Sequence, residues 1–122
     1  EFRRVLFRSV LSGNKTYLNQ IYLSNIHPTD PITVTSMTVS WSPTQGGSKT
    51  RVITLHATWS GSVNNGATIP LPNGGDTFTA LESGIELLLE FRKQLPGRTF
   101  TLDFNMSDGS ISTLTLSGLP EN

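Results

Sequence analysis

The sequence predicts an all-β, antiparallel sandwich, and three observations carry that expectation. Charged residues are only 15% of the chain and hydrophobic residues 35%, against about 25% charged in an average globular domain. Thr, Ser, Asn and Gly supply the polarity instead, which suits strands and turns better than surface helices. Several segments alternate apolar and polar residues with the period of two that half-buried strands require. Turn-forming residues, among them 11 Gly and 7 Pro, recur between those segments. A length of 122 residues is enough for one domain with one modest core.

TYLNQIYLSN (16–25) opens the alternating part, with Tyr17, Ile21 and Leu23 on one parity and Leu18 and Tyr22 on the other. Pro28 lies in the turn that follows. PITVTSMTVSW (31–41) is rich in β-branched residues, but Ile32 and Val34 share one face while Met37, Val39 and Trp41 share the other. One extra residue near Thr35 and Ser36 would bring all five inward, so a β-bulge is predicted there. SPTQGGSKT (42–50) reads as a loop. RVITLHATW (51–59) reads as one strand with Ile53, Leu55, Ala57 and Trp59 inward. Residues 60–80 read as turn-rich, with Asn65 and Gly66 at one turn and Asn73 and Gly74 at another. Ile69 and Leu71 form a short edge strand there, because Pro70 and Pro72 exclude a central one.

ESGIELLLEFRKQL (82–95) has helix-favouring composition. Yet Ile85, Leu87, Leu89 and Phe91 alternate strictly with charged residues and leave only Leu88 out of phase. A strand is favoured. In RTFTLDFNM (98–106), Phe100, Leu102, Phe104 and Met106 face one way. Asp108 and Gly109 signal a hairpin, and SISTLTLSG (110–118) returns with Leu114 and Leu116, ending at Gly118 and Pro120. The total is about seven strands at sandwich-like spacing, an immunoglobulin-like arrangement without its disulfide.

Several chemistries are excluded or disfavoured. The chain has no cysteine, which removes disulfides, thiolate metal sites and Cys nucleophiles. A formal net charge of zero provides no electrostatic footprint for nucleic acid. No apolar run approaches the roughly 18 residues that span a bilayer. His27, in a turn, and His56, mid-strand on the polar parity, read as surface histidines. Asp103, Asn105, Ser107 and Asp108 fail the calcium-loop spacing, since Asp108 stands where Gly belongs. Glu82, Glu86 and Glu90 form a same-face solvent ladder, which does not provide two carboxylates facing across a cleft. Asn14 and Asn105 begin glycosylation sequons, which matter only in a eukaryotic secretory pathway. No catalytic, cofactor-binding or metal-binding constellation is assigned. Trp41 and Trp59 each close a strand and are followed by Ser. Each is a core plug or, alternatively, a stacking platform for a sugar.

The first nine residues, EFRRVLFRS, stand apart in composition. They resemble a translated sequencing adapter at all nine positions, which implies a non-native segment at 1–9. A single sandwich domain is then expected over 10–122, truncated at its N-terminal side. Without 1–9, Lys plus Arg falls from 9 to 6 and Asp plus Glu from 9 to 8, a net charge of −2.

The order PITVTSMTVSW, RVITLHATWSGSVNNGATI, GIELLLEF, FTLDFNMSDGS resembles a β-rich globular domain of prepilin-type secreted proteins from environmental prokaryotes. Ile32, Val34, Met37, Val39 and Trp41 match its first strand pattern, and Trp59 with Gly61 the second. Leu87, Leu89 and Phe91 match the third, and Phe104 with Gly109 the last. The likeness covers most of residues 20–115 and rests on core positions. It implies an extracellular or cell-surface structural or adhesive domain without enzymatic activity. Its partners would be other filament subunits or a glycan, and it would meet a membrane only through a segment upstream. A carbohydrate-binding module using Trp41 or Trp59 is the alternative.

Overall fold

The computed structural model describes residues 2–5, 10–12, 17–42, 49–92 and 99–117. The loop around Gly46 and Gly47, the Asn14 sequon, Leu95, Gly118 and Pro120 lie outside the described residues. The described chain forms strands β1 (Phe2–Val5), β2 (Val10–Ser12), β3 (Tyr17–Asn25), β4 (Ile32–Ser42), β5 (Thr50–Thr54) and β6 (Thr58–Val63). It continues with β7 (Thr68–Pro70), β8 (Asp76–Phe78), β9 (Ile85–Phe91), β10 (Thr99–Met106) and β11 (Ile111–Leu116).

All pairings are antiparallel. One sheet runs β1-β3-β9-β5-β6, with β2 also on β3; the other runs β11-β10-β4-β7, with β8 also on β4. β1 and β2 share one edge of β3, and β7 and β8 share one edge of β4. The eleven segments therefore occupy nine strand positions, five in one sheet and four in the other, rather than the seven expected. The order β11-β10-β4 opposite β3-β9-β5 is the immunoglobulin-like arrangement.

Both sheets contribute to one interior. Leu18, Ile21, Leu23, Ile53, Leu87, Leu89 and Phe91 from the first sheet meet Val34, Met37, Val39, Trp41, Phe100, Leu102 and Phe104 from the second. Trp41 and Phe91 cross edge to face at 5.4 Å, and Phe91 lies 5.4 Å from Phe100. These contacts join the two sheets directly.

Two bulges set the phase of the core. In β4 the register moves from Asn105↔Ser36 to Met106↔Val34, which leaves Thr35 as the extra residue. Val34 and Met37 are thereby both fully buried, as the split parity of this segment predicts. A second bulge separates Leu18↔Leu89 from Ile21↔Leu87 in β3, with Gln20 at φ 60°. It turns Leu18 inward beside Ile21 and Leu23, so the parity expected for this strand changes halfway along. Gly75, at φ 137°, sits where a Cβ would lie 2.7 Å from Thr33 Cγ2 and 3.0 Å from the Val34 carbonyl. Only glycine lets the β7–β8 connection pass that close to β4.

The strand expected over 51–59 is instead a hairpin. β5 and β6 pair through Thr54↔Thr58, and residues 55–57 form the turn, with Leu55 N–H donating to the Ala57 carbonyl at 3.0 Å. The segment read as turn-rich, 60–80, carries the rest of β6 and all of β7 and β8. β9 is a strand, with Leu87, Leu89 and Phe91 buried and Leu88 only partly so. The Asp108 and Gly109 hairpin closes as predicted, with Met106 N–H donating to the Ser110 carbonyl at 2.8 Å.

Candidate functional site

The β5–β6 turn brings His56 to one margin of the sandwich, where the two sheets meet. β8 belongs to the opposite sheet and supplies Asp76; the turn at 79–82 that leaves β8 supplies Glu82. His56 Nδ1–H donates to Asp76 Oδ2 at 2.7 Å, and Nε2–H donates to Glu82 Oε2 at 2.6 Å. Asp76 uses its other oxygen to accept the Ala57 N–H at 3.3 Å. Glu82 uses its other oxygen to accept the Thr79 N–H at 2.9 Å. The His56 ring stands edge-on to Phe78, 4.8 Å away. One histidine thus bridges the two sheets through two carboxylates.

Its protonation follows from this geometry. A neutral imidazole has one N–H and one lone pair, so it satisfies only one of two flanking carboxylates. The arrangement calls for imidazolium. Burial opposes that charge and is the largest single influence on His56. The hydrogen bonds to Asp76 and Glu82, and the attraction of both carboxylates, together outweigh it and raise the pKa above the ordinary 6.5. At Glu82, burial favours the neutral acid. The His56 hydrogen bond, the Thr79 N–H and the histidine charge outweigh it, and the pKa falls below the ordinary 4.5. The two shifts describe one interaction from its two ends.

In this arrangement the cluster ties β8 and the 79–82 turn to the β5–β6 turn. Both ring nitrogens of His56 are committed, so no lone pair is offered to a proton, a substrate or a metal ion. The carboxylates lie on opposite sides of the ring and do not converge on one point. Among the described residues, no group of three His, Asp or Glu side chains is arranged to hold a metal ion.

A cleft of about 470 Å³ opens at the end of the sandwich between the 27–33 segment and the β10–β11 hairpin. Ile32 and Met106 are among its apolar walls; His27, Asp30, Asp108 and Ser110 are among its polar ones. His27 Nδ1 accepts the backbone N–H of Thr29 at 3.2 Å and of Asp30 at 3.0 Å. Its Nε2 faces Asp30 Oδ2 at 3.5 Å. Asp108 Oδ1 accepts both the hydroxyl and the N–H of Ser110. Those bonds, the hydroxyl's first, lower its pKa below the ordinary 3.8.

The structure separates the two tryptophans. Trp41 is 4% exposed and packs on Phe91, so it plugs the core and offers no face to a ligand. Its backbone is pinned by Asn65, whose side-chain amide accepts the Trp41 N–H at 2.9 Å and donates to its carbonyl at 2.8 Å. Trp59, on the edge strand β6, is only partly buried against the core. Its ring lies across Gly61, where a Cβ would come within 2.5 Å of Cζ2. Trp59 therefore keeps a partly open surface, and Gly61 leaves room for the ring.

Glu86 and Glu90 share the outer face of β9, but Glu82 leaves the expected ladder. Glu82 lies in a turn and binds His56, whereas Glu86, on β9, accepts the Gln20 N–H at 3.0 Å. His56 is likewise not a free surface histidine. Asp76 and Glu82 were not legible as its partners, because they lie 20 and 26 residues away with no motif spacing between them. The only local hint was a titratable ring among the threonines of the polar parity, Thr54 and Thr58. No protein-family model matches the chain, and no curated protein is significantly similar to it.

Proposed function

We propose that this chain is a non-enzymatic structural or adhesive domain displayed outside the cell, the globular part of a pilin-like surface protein. The observation that carries this reading is the chemistry of the outer faces. Paired hydroxyls line them: Thr33 with Thr77 at 2.8 Å, Thr38 with Thr68 at 2.9 Å and Thr54 with Thr58 at 3.2 Å. Thr113 donates to Asp103 at 2.7 Å across β10 and β11. Hydroxyl-rich sheet faces of low charge over an apolar interior suit a body that meets neighbours by shape and hydrogen bonding. They do not suit electrostatic capture of a charged partner. The likeness to prepilin-type secreted proteins points the same way.

The test is to read the genomic locus through the codons before Val10 and to localise the product of the complete reading frame by immunogold microscopy. An in-frame apolar helix or signal peptide, with label on the cell surface, is the expected outcome. A product confined to the cytoplasm would overturn the proposal.

Trp59 supports a second reading, carbohydrate binding, because a partly open indole on an edge strand is a usable stacking surface. Tryptophan fluorescence titrated with a glycan panel distinguishes it. A shift that is lost in Trp59→Ala supports sugar binding, and an unchanged spectrum across the panel rejects it.

A further inference from the structure

The turn at 79–82 is held by hydrogen bonds, some internal and one reaching His56. Leu81 sits at φ 60° with its side chain 63% exposed. That conformation is strained for a branched residue and persists only where the surroundings impose it. Packing of the Leu81 side chain cannot be what imposes it. Hydrogen bonds do so instead. Glu82 N–H donates to the Thr79 carbonyl at 3.1 Å, and Glu82 Oε1 accepts the Thr79 N–H. Glu82 Oε2 is held by His56.

The same turn anchors one wall of the cleft. Leu81 N–H donates to the His27 carbonyl at 3.1 Å, and Asn25 N–H donates to the Glu82 carbonyl at 2.8 Å. The Asn25 side-chain amide, in a residue 1% exposed, shares its two N–H protons among the carbonyls of Asp30, Phe78 and Thr79, and its oxygen accepts the His27 N–H. A continuous set of hydrogen bonds therefore runs from His56 through Glu82 and Asn25 to His27 and Asp30.

We propose that Asp76, His56 and Glu82 form a proton-operated latch. With His56 protonated, the latch locks the strained 79–82 turn and, through it, the His27 and Asp30 wall of the cleft. When His56 is deprotonated, the remaining N–H stays at Nδ1 on the more buried Asp76, and the Nε2 lone pair is left facing Glu82 Oε2. The contact becomes repulsive, the turn relaxes, and the cleft wall loosens. Among the described residues, the charged groups bonded to His56 are Asp76 on β8 and Glu82 in the turn; Phe78, the third neighbour, carries no charge. The latch is independent of whether the domain belongs to a surface filament.

Residue-resolved amide exchange on the full chain, across a pH titration with 15N-labelled histidine rings, tests it. Exchange is expressed as protection factors, so that the intrinsic pH dependence cancels. At pH 6, the His56 ring nitrogens should both show protonated shifts. Across the His56 midpoint, protection at Leu81 and Asn25 should fall about tenfold or more while Leu102 and Phe104 stay protected, a local opening rather than global unfolding. His56→Gln should remove the pH step, and Glu82→Gln should leave the turn poorly protected at every pH. Protection at Leu81 and Asn25 that stays level while His56 titrates would overturn the latch. So would the same step persisting in His56→Gln or, should that variant not fold, in Glu82→Gln.

Discussion

The chain has two histidines, and they make opposite kinds of contact. His27 Nδ1 accepts two backbone N–H groups from residues two and three positions along. That nitrogen carries a lone pair, and the contacts are local. His56 donates from both nitrogens to carboxylates 20 and 26 residues away. The first ring stabilises a turn that the sequence alone nearly dictates. The second joins two sheets and depends on the whole fold being assembled. The residue type is the same, but one reports local backbone geometry and the other tertiary closure.

Three measurements sharpen that contrast. The largest effect should come from Asp76→Ala. Asp76 is 6% exposed and serves both His56 and the Ala57 N–H. Breaking a fully buried ion pair costs about 3–5 kcal/mol. The His56 side chain is 34% exposed, so screening reduces this to about 2 kcal/mol. Urea denaturation at pH 6 measures it, and a loss under about 0.5 kcal/mol would mean that the bridge is ornamental.

Next is His56→Gln, expected to cost about 1 kcal/mol at pH 6. The loss is smaller than for Asp76→Ala because glutamine still offers a donor to one carboxylate. Its pH dependence is the sharper readout. The folded pKa of His56 is raised, so its contribution is fully present below the unfolded value of 6.5 and fades as pH rises through the folded value. Glu82 is lowered from 4.5, so its contribution is present above that value and fades as pH falls through the folded one. The latch is therefore strongest between about pH 4.5 and 6.5. Wild-type and variant stabilities should converge towards pH 9, and curves that stay parallel would contradict the assignment. The smallest effect belongs to His27→Ala, about 0.5 kcal/mol, because the N–H groups it releases are exposed to water.

The same division between local and distant causes explains what the sequence made legible. The β4 bulge was legible because Ile32 and Val34 cannot share a face with Met37, Val39 and Trp41 unless a residue is inserted. The β3 bulge was not, because Tyr17, Leu18, Ile21, Tyr22 and Leu23 place apolar residues on both parities. Leu87, Leu89 and Phe91 identified β9 against its helix-favouring composition, because alternating burial outweighs intrinsic propensity. The β5–β6 turn was hidden for the opposite reason. Leu55, Ala57 and Trp59 continue the alternation of β5, and no Gly, Pro or Asn marks the reversal. The acceptor for the Ala57 N–H is Asp76, contributed by the other sheet.

Of the candidate binding residues, the two tryptophans look alike in sequence, each at a strand end before a serine. Their fates diverge with strand position. Trp41 lies on β4, paired with β10 on one side and held by the Asn65 side chain on the other, and is buried; Trp59 lies on the edge strand β6 and keeps part of its ring open. Position within a sheet is not encoded in the alternation of any one strand.

Local pattern along the chain sufficed to predict an all-β fold and the course of most strands. It also indicated which residues of β4, β9, β10 and β11 point inward, because period-two burial is a property of neighbouring residues along one strand. Where 51–59 reverses and which tryptophan stays accessible were settled by packing between strands. So was the meeting of His56, Asp76 and Glu82. Those outcomes depend on which strands become neighbours, and a charge placed on one strand has no partner until another sheet is laid against it.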